Sequence, residues 1–170
     1  TRSVPSIHGI TGNDWYDLNE NKSVYCTEDT SMSTVGSNSK AGKMSPNRLL
    51  VTTITDELRL ATNFHSKTIG IALKDRGAIL SAGHNANAAY FYDGTTGGWI
   101  TSSYYMNVLP KWVNAFNDKK LETKYISQNW NTLLPSNKYT ESTADDKSYE
   151  GTYKNETKPI FEHMISELAT

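Results

Sequence analysis

Thr68-Ile69-Gly70-Ile71-Ala72-Leu73-Lys74-Asp75-Arg76-Gly77 is the stretch on which the fold turns. Its first seven residues are largely apolar, carry Ile69 and Ile71, and are interrupted only by Gly70, the pattern of a short buried strand. Just upstream, Ser45-Pro46 has the chemistry of a helix start, with a capping hydroxyl followed by a residue whose missing N–H costs nothing in the first turn. Leu50, Ile54, Leu58 and Ala61 then recur at helical spacing, which predicts a helix over 46–62 with those residues on its buried face. A helix followed by an apolar strand is half of a βαβ unit, so the chain is expected to be α/β.

Working outward, Gly77 and Gly83 flank Ala78-Ile79-Leu80, and two aromatic-rich runs, 88–92 and 99–105, surround Asp93-Gly94-Thr95-Thr96-Gly97-Gly98. That turn chemistry predicts a β-hairpin. Residues 109–117 suggest a short helix with Trp112, Val113 and Phe116 toward the core. Residues 119–157 are polar, with Trp130, Leu133 and Leu134 as a local anchor, and Ile160, Phe161, Met164, Ile165 and Leu168 space out as a final amphipathic helix. Toward the N-terminus, Gly9 and Gly12 bracket a turn, Trp15-Tyr16 reads as a strand, and 19–45 is a long polar loop with one candidate strand around Val24-Tyr25-Cys26.

Composition sets limits on function. The 170 residues carry 17 Lys+Arg and 18 Asp+Glu, a net charge of −1, so no broad basic surface exists for nucleic acid or an anionic membrane. Leu, Ile, Val and Phe supply only 32 residues, thin for a chain of this length, whereas Asn, Ser and Thr supply 52. A single cysteine, Cys26, excludes an internal disulfide framework and a Cys-rich zinc site. No run approaches the ~18–20 apolar residues of a membrane span. The opening Thr1-Arg2-Ser3-Val4-Pro5 has neither an initiator Met nor a signal peptide, so the chain is expected to be a piece of a longer protein.

The sharpest chemical feature is Lys74-Asp75-Arg76. In a strand, residues i and i+2 share a face, so Lys74 and Arg76 would project together with Asp75 turned away. Two adjacent cations are unfavourable unless an anion lies between them, and a planar guanidinium fork beside a compact ammonium suits phosphate or sulfate. The alternative is a solvated strand end in which Asp75 neutralises both. Asn13, in Gly12-Asn13-Asp14-Trp15, is a second candidate, either a neutral donor to an oxyanion or simple turn chemistry. His84 is a candidate base or metal ligand against a structural role, and His8, His65, His84 and His163 form no pair at ligand spacing. Tyr90, Tyr92, Trp99, Tyr104 and Tyr105 could serve as a stacking platform for a sugar or as core.

Four stretches carry a resemblance. Val4-Pro5-Ser6-Ile7-His8-Gly9-Ile10-Thr11-Gly12-Asn13-Asp14-Trp15-Tyr16-Asp17 resembles a segment of the alkaline phosphatase superfamily. The similar branch groups type I phosphodiesterases and nucleotide pyrophosphatases with single-chain bacterial alkaline phosphatases that use a Thr nucleophile. Ile69 through Leu80, continuing as Gly83-His84 and Ala89-Tyr90-Phe91-Tyr92-Asp93, is similar to the same phosphatases, as are Trp99 through Met106 and Leu109-Pro110-Lys111-Trp112-Val113. Together they cover roughly 1–118, leaving 119–170 as a polar insertion and terminal helix in a single 1–170 fragment.

The resemblance implies a partial alkaline-phosphatase-like fold, a fragment of the α/β core with the adjacent cap or insertion and its β-hairpin. It implies two zinc ions that activate a Thr or Ser nucleophile, with Asn13, Lys74 and Arg76 contacting the non-bridging phosphate oxygens. The Lys-x-Arg pair points to phosphomonoesters, whose terminal dianion rewards extra cations. The nucleophile phrase and an Asp zinc ligand are expected upstream of Thr1, the other ligands downstream, and neither Thr1 nor Thr11 stands in a nucleophile's context. The chain alone is therefore expected to bind no zinc and to be inactive, to contact neither nucleic acid nor membrane, and to self-associate through exposed apolar faces. The whole protein is expected to be periplasmic or secreted. A phosphodiesterase or nucleotide pyrophosphatase segment, and a non-catalytic anion- or sugar-binding module, are the alternatives.

Overall fold

One parallel strand pair and the helix that connects it organise the N-terminal part of the molecule. The computed structural model describes residues 3–168, so Thr1 lies outside the described residues. In chain order the elements begin with α1 (Pro5–His8), β1 (Asp14–Asp17), β2 (Lys22–Tyr25), β3 (Thr34–Val35) and α2 (Ile54–Ala61). Next come β4 (Ile69–Ala72), α3 (Asp75–Ala82), β5 (Ala88–Asp93), β6 (Gly98–Ser102) and α4 (Lys111–Asn117). The chain closes with α5 (Leu121–Ile126), β7 (Asn129–Trp130), β8 (His163–Met164) and α6 (Ile165–Leu168). Two units form, Thr1–Lys119 and Lys120–Thr170. Among the described residues no helix is long and apolar enough to cross a membrane.

In the first unit a four-stranded sheet has the order β3-β6-β5-β4. β4 and β5 are parallel, with Ile71 opposite Tyr90, and β5 and β6 form the antiparallel hairpin expected from the glycine-rich turn. The chain is thus mixed α/β. Side chains alternate along β5: Ala89 and Phe91 pack with Ala78, Ile79, Ala82 and Ile100, while Ala88 and Tyr90 pack with Leu109 and Val113. α3 lies directly on β4 because Gly70 has no side chain. A Cβ there would run into the Ala78 carbonyl oxygen and the Ala82 Cβ.

Several sequence expectations are corrected. The helix predicted over 46–62 forms only over Ile54–Ala61. Ser45 donates its hydroxyl to Asp29 (2.6 Å) and accepts from the Asn47 amide (3.2 Å), closing a local turn in place of a helix cap. Thr53 is the true cap: its hydroxyl oxygen accepts from the Asp56 amide, and the Asp56 carboxylate accepts from the Thr53 amide, a reciprocal capping box. The face turned inward carries Asp56, whereas Leu50, Ile54 and Leu58 are exposed.

The strand predicted over 68–74 ends at Ala72, and the helix of the βαβ unit is α3, after the strand instead of before it. A Cβ at Gly77 would stand 3.1 Å from the Ala72 Cβ, so glycine lets the first turn of α3 fold back over the strand end. In α4 only Val113 is buried. Trp112 stays more than half exposed, edge-on to Tyr90 at 5.4 Å, and Phe116 is also exposed.

In the second unit β7 and β8 pair, so the helix predicted over 160–168 is confined to Ile165–Leu168. Trp130 packs edge-on to Phe161 at 5.4 Å and beside buried His163, whose Nδ1 lies 2.9 Å from a Glu156 oxygen. Leu133, expected to join that anchor, is 93% exposed.

Candidate functional site

Lys74 and Arg76 stand where β4 hands over to α3. Lys74 is the residue before the helix, with extended backbone (φ −101°, ψ 137°), and Arg76 lies in its first turn. They therefore do not project from one strand face, as the i, i+2 spacing had suggested. They sit instead at the C-terminal end of a parallel strand and the N-terminal end of a helix, where amide donors and the helix dipole favour an anion.

Among the described residues no direct ion pair links Asp75 to Lys74 or Arg76, although its charge lies close enough to favour the cationic form of Arg76. Its carboxylate accepts from the Tyr25 hydroxyl at 2.5 Å and from the backbone amide of Arg76. Tyr25 in turn accepts a hydrogen bond from Arg76 Nη1 at 2.9 Å, and the guanidinium carbon lies 6.0 Å from the Tyr25 ring centroid. Burial, reinforced by the bond to Asp75, pushes the Tyr25 hydroxyl up to about 12. The hydrogen bond to Tyr25 likewise shifts Arg76 upward, deeper into its charged form. Lys74 is exposed.

Asn13 immediately precedes β1. The β1–β2 pairing sets Asp14 opposite Tyr25, and the Cys26 amide donates to the Asn13 carbonyl at 2.8 Å. The strand pair therefore fastens the Asn13 backbone beside the tyrosine that touches Arg76, and the Asn13 side chain is exposed. Tyr25 is the participant that sequence reasoning missed. It was visible only as part of an apolar trio, because its partners lie 50 and 51 residues away.

His8 Nδ1 accepts from the Ile10 amide at 3.1 Å, and the His84 carbonyl accepts from the Tyr104 hydroxyl at 3.2 Å. Among the described residues no three His, Cys, Asp or Glu side chains converge on a point that could hold a metal ion. The aromatic strands pack on one another edge-on, Tyr92 with Trp99 and Tyr104 with Tyr105, and so present no flat platform. A depression of about 600 Å³ lies in the second unit between Trp130, Tyr139 and Phe161, and none of Asn13, Lys74 or Arg76 lines it.

Residues 1–164 match the family described as type I phosphodiesterase / nucleotide pyrophosphatase. The chain belongs to that family. It is 56% identical over 169 residues to the alkaline phosphatase PhoV of Synechococcus elongatus, covering 99% of this chain and 31% of that protein. A Myroides odoratus protein named as a calcium-transporting ATPase is 55% identical over 168 residues, again 99% of this chain and 31% of its own length. Alkaline phosphatase PafA of Elizabethkingia meningoseptica is 54% identical over 162 residues, 95% of this chain and 30% of PafA.

The fold superposes on a crystal structure of alkaline phosphatase PafA with a TM-score of 0.92 at 52% identity, over 98% of this chain and 32% of that one. A second PafA structure carries a threonine changed to serine and an asparagine, a lysine and an arginine changed to alanine. It matches with a TM-score of 0.92 at 49% identity, over 97% of this chain and 32% of that one. The chain thus spans about a third of the length of the relatives it matches and has the corresponding part of the alkaline phosphatase fold.

Proposed function

We propose that this chain is the segment of an alkaline phosphatase-like phosphomonoester hydrolase that grips the non-bridging oxygens of the phosphoryl group, through Asn13, Lys74 and Arg76. The observation that carries this is the handover from β4 to α3, where two cations stand beside a carboxylate that pairs with neither. The PafA variant lends support. Its altered lysine and arginine are two positions apart and its altered asparagine stands 62 positions before the lysine, against two and 61 here for Lys74, Arg76 and Asn13. Its altered threonine stands 21 positions before the asparagine, more than the twelve residues ahead of Asn13, which favours a nucleophile outside this chain.

Each group has a distinct task. Arg76 offers a planar fork that matches two phosphoryl oxygens, Lys74 adds a compact charge, and Asn13 donates a neutral hydrogen bond. Charge spread over the equatorial oxygens in the transition state is stabilised by such preorganised donors. Two cations favour a monoester dianion over a diester monoanion, which ranks phosphomonoesterase ahead of the phosphodiesterase also named for the family. A terminal phosphoryl group is common to monoesters and to ATP, so the ATPase name of one relative fits the same grip.

Zinc belongs to the proposal only for the whole protein, since the described residues furnish no ligand set, and no step is assigned to it here. The whole protein is proposed to act in the periplasm or outside the cell.

The test uses the full-length protein with p-nitrophenyl phosphate and bis-p-nitrophenyl phosphate. Lys74→Ala and Arg76→Ala should each lower kcat/KM for the monoester by about 10²-fold, and for the diester by much less. The 170-residue chain alone should hydrolyse neither and bind no stoichiometric zinc. Equal losses on both esters would favour the diesterase, and unchanged monoester turnover would refute the proposed grip.

A further inference from the structure

We infer that Tyr25 is a positioning residue for Arg76: its hydroxyl is interposed between Asp75 and the guanidinium, fixing the arginine without a direct ion pair that would occupy its donor fork. The inference deepens the phosphate-gripping function proposed above and rests on it. A carboxylate beside an arginine ordinarily forms a two-pronged ion pair, which occupies two of the five N–H donors and cancels the charge. Here the Tyr25 proton goes to Asp75 at 2.5 Å, and a Tyr25 lone pair receives only Arg76 Nη1 at 2.9 Å. Among the described residues one guanidinium donor is used, and it is used on a neutral group.

The other elements of the contact act in the same sense. The tyrosine ring lies 6.0 Å from the guanidinium carbon, within reach of a cation–π attraction that restrains the long side chain. Asp75 is held in turn by accepting the Arg76 backbone amide, so it cannot swing freely onto the guanidinium. Burial and the bond to Asp75 push the Tyr25 hydroxyl up to about 12, in keeping with its role as donor to Asp75. The backbone around Tyr25 is fixed by pairing with β1, whose first residue, Asp14, follows Asn13. One tyrosine therefore ties the asparagine loop to the arginine.

A double-mutant cycle in the full-length protein tests this. Tyr25→Phe removes one oxygen and keeps the ring. It should lower kcat/KM for p-nitrophenyl phosphate by about tenfold in the native background and by less than about twofold when Arg76 is already Ala. In a Lys74→Ala background the full tenfold loss should persist, because Lys74 has no bond to Tyr25. Inhibition by inorganic phosphate should weaken in parallel. A Tyr25→Phe loss of the same size with and without Arg76 would overturn the inference while leaving the phosphate grip intact. An Arg76→Ala variant with unchanged kcat/KM would overturn the grip itself, and this inference with it. Should Tyr25→Phe fail to fold, Asp75→Asn, which weakens the anchor, carries the same cycle: its loss should vanish on Arg76→Ala, and a loss that does not vanish refutes the inference.

Discussion

Asp93 shows how single polar side chains hold the frame that presents the site. It closes the turn between β5 and β6, where its carboxylate accepts from Ser37 Oγ (2.8 Å), Thr96 Oγ1 (2.9 Å) and the Thr95 amide (3.0 Å). Burial alone would raise its pKa, but the hydroxyls of Ser39, Ser37 and Thr96 and the Thr95 amide outweigh burial and hold it at about 2, below its ordinary 3.8. A folded-state pKa below the unfolded one adds stability above about pH 4 that fades as pH falls toward 2. Melting curves between pH 5 and 2 should show this loss, and Asp93→Asn should flatten it while costing about 2 kcal/mol near neutrality. Lys74 and Arg76 could be picked out from the sequence because their chemistry is local, two cations two residues apart. Tyr25 could not, since its role exists only once β2 is laid against the start of α3. The same holds for Asp75, which reads as a direct ion-pair partner until the tyrosine is seen to intervene.

Helices and strands were legible where their signals are self-contained. The β5–β6 hairpin follows from six turn-forming residues between two aromatic runs, and the structure forms it. The start of α2 was misread because Ser45 and Thr53 both have capping chemistry, and the choice falls to Asp56, three residues after Thr53 and able to return the bond. The length of β4 was overestimated because an apolar run does not reveal where a following helix begins. What fixes that boundary is close backbone contact. The Gly70 position faces the Ala78 carbonyl oxygen and the Ala82 Cβ, so α3 lies against β4 and must start within a few residues of its end. Gly70→Ala should therefore lift α3 off the strand and destabilise the first unit by about 1–3 kcal/mol, read as a lower midpoint in chemical denaturation. Because α3 carries Arg76, phosphate inhibition of the full-length protein should weaken in the same variant. A Gly70→Ala protein with native stability would mean that the helix–strand spacing is looser than the contact implies.

Considered whole, the molecule has a small core and much uncovered apolar surface. Leu, Ile, Val and Phe make up only 32 of 170 residues, and several of these are not buried. Ile69, Ile71 and Leu73 are 53%, 61% and 72% exposed, on and just beyond β4, which ends the four-stranded sheet and, among the described residues, has no strand on its outer side. Ile71 also borders an apolar groove with Tyr90, Trp99, Trp112 and Phe116. An unpaired edge strand offers free N–H and C=O groups to another chain, and apolar side chains beside it make the pairing favourable. A net charge of −1 supplies almost no long-range repulsion to oppose it. The 170-residue chain should therefore self-associate as its concentration rises, seen as an increasing weight-average mass in sedimentation equilibrium. Ile71→Lys places a charge on that edge and in that groove, and should return the chain to a monomer without lowering its melting temperature, since Ile71 is mostly exposed already. The alternative site of association is the exposed apolar surface around Ile54 and Leu58 on α2, so Ile54→Lys should leave the mass unchanged if the sheet edge is the contact. Loss of association in Ile54→Lys with its retention in Ile71→Lys would move the contact from the sheet edge to the helix.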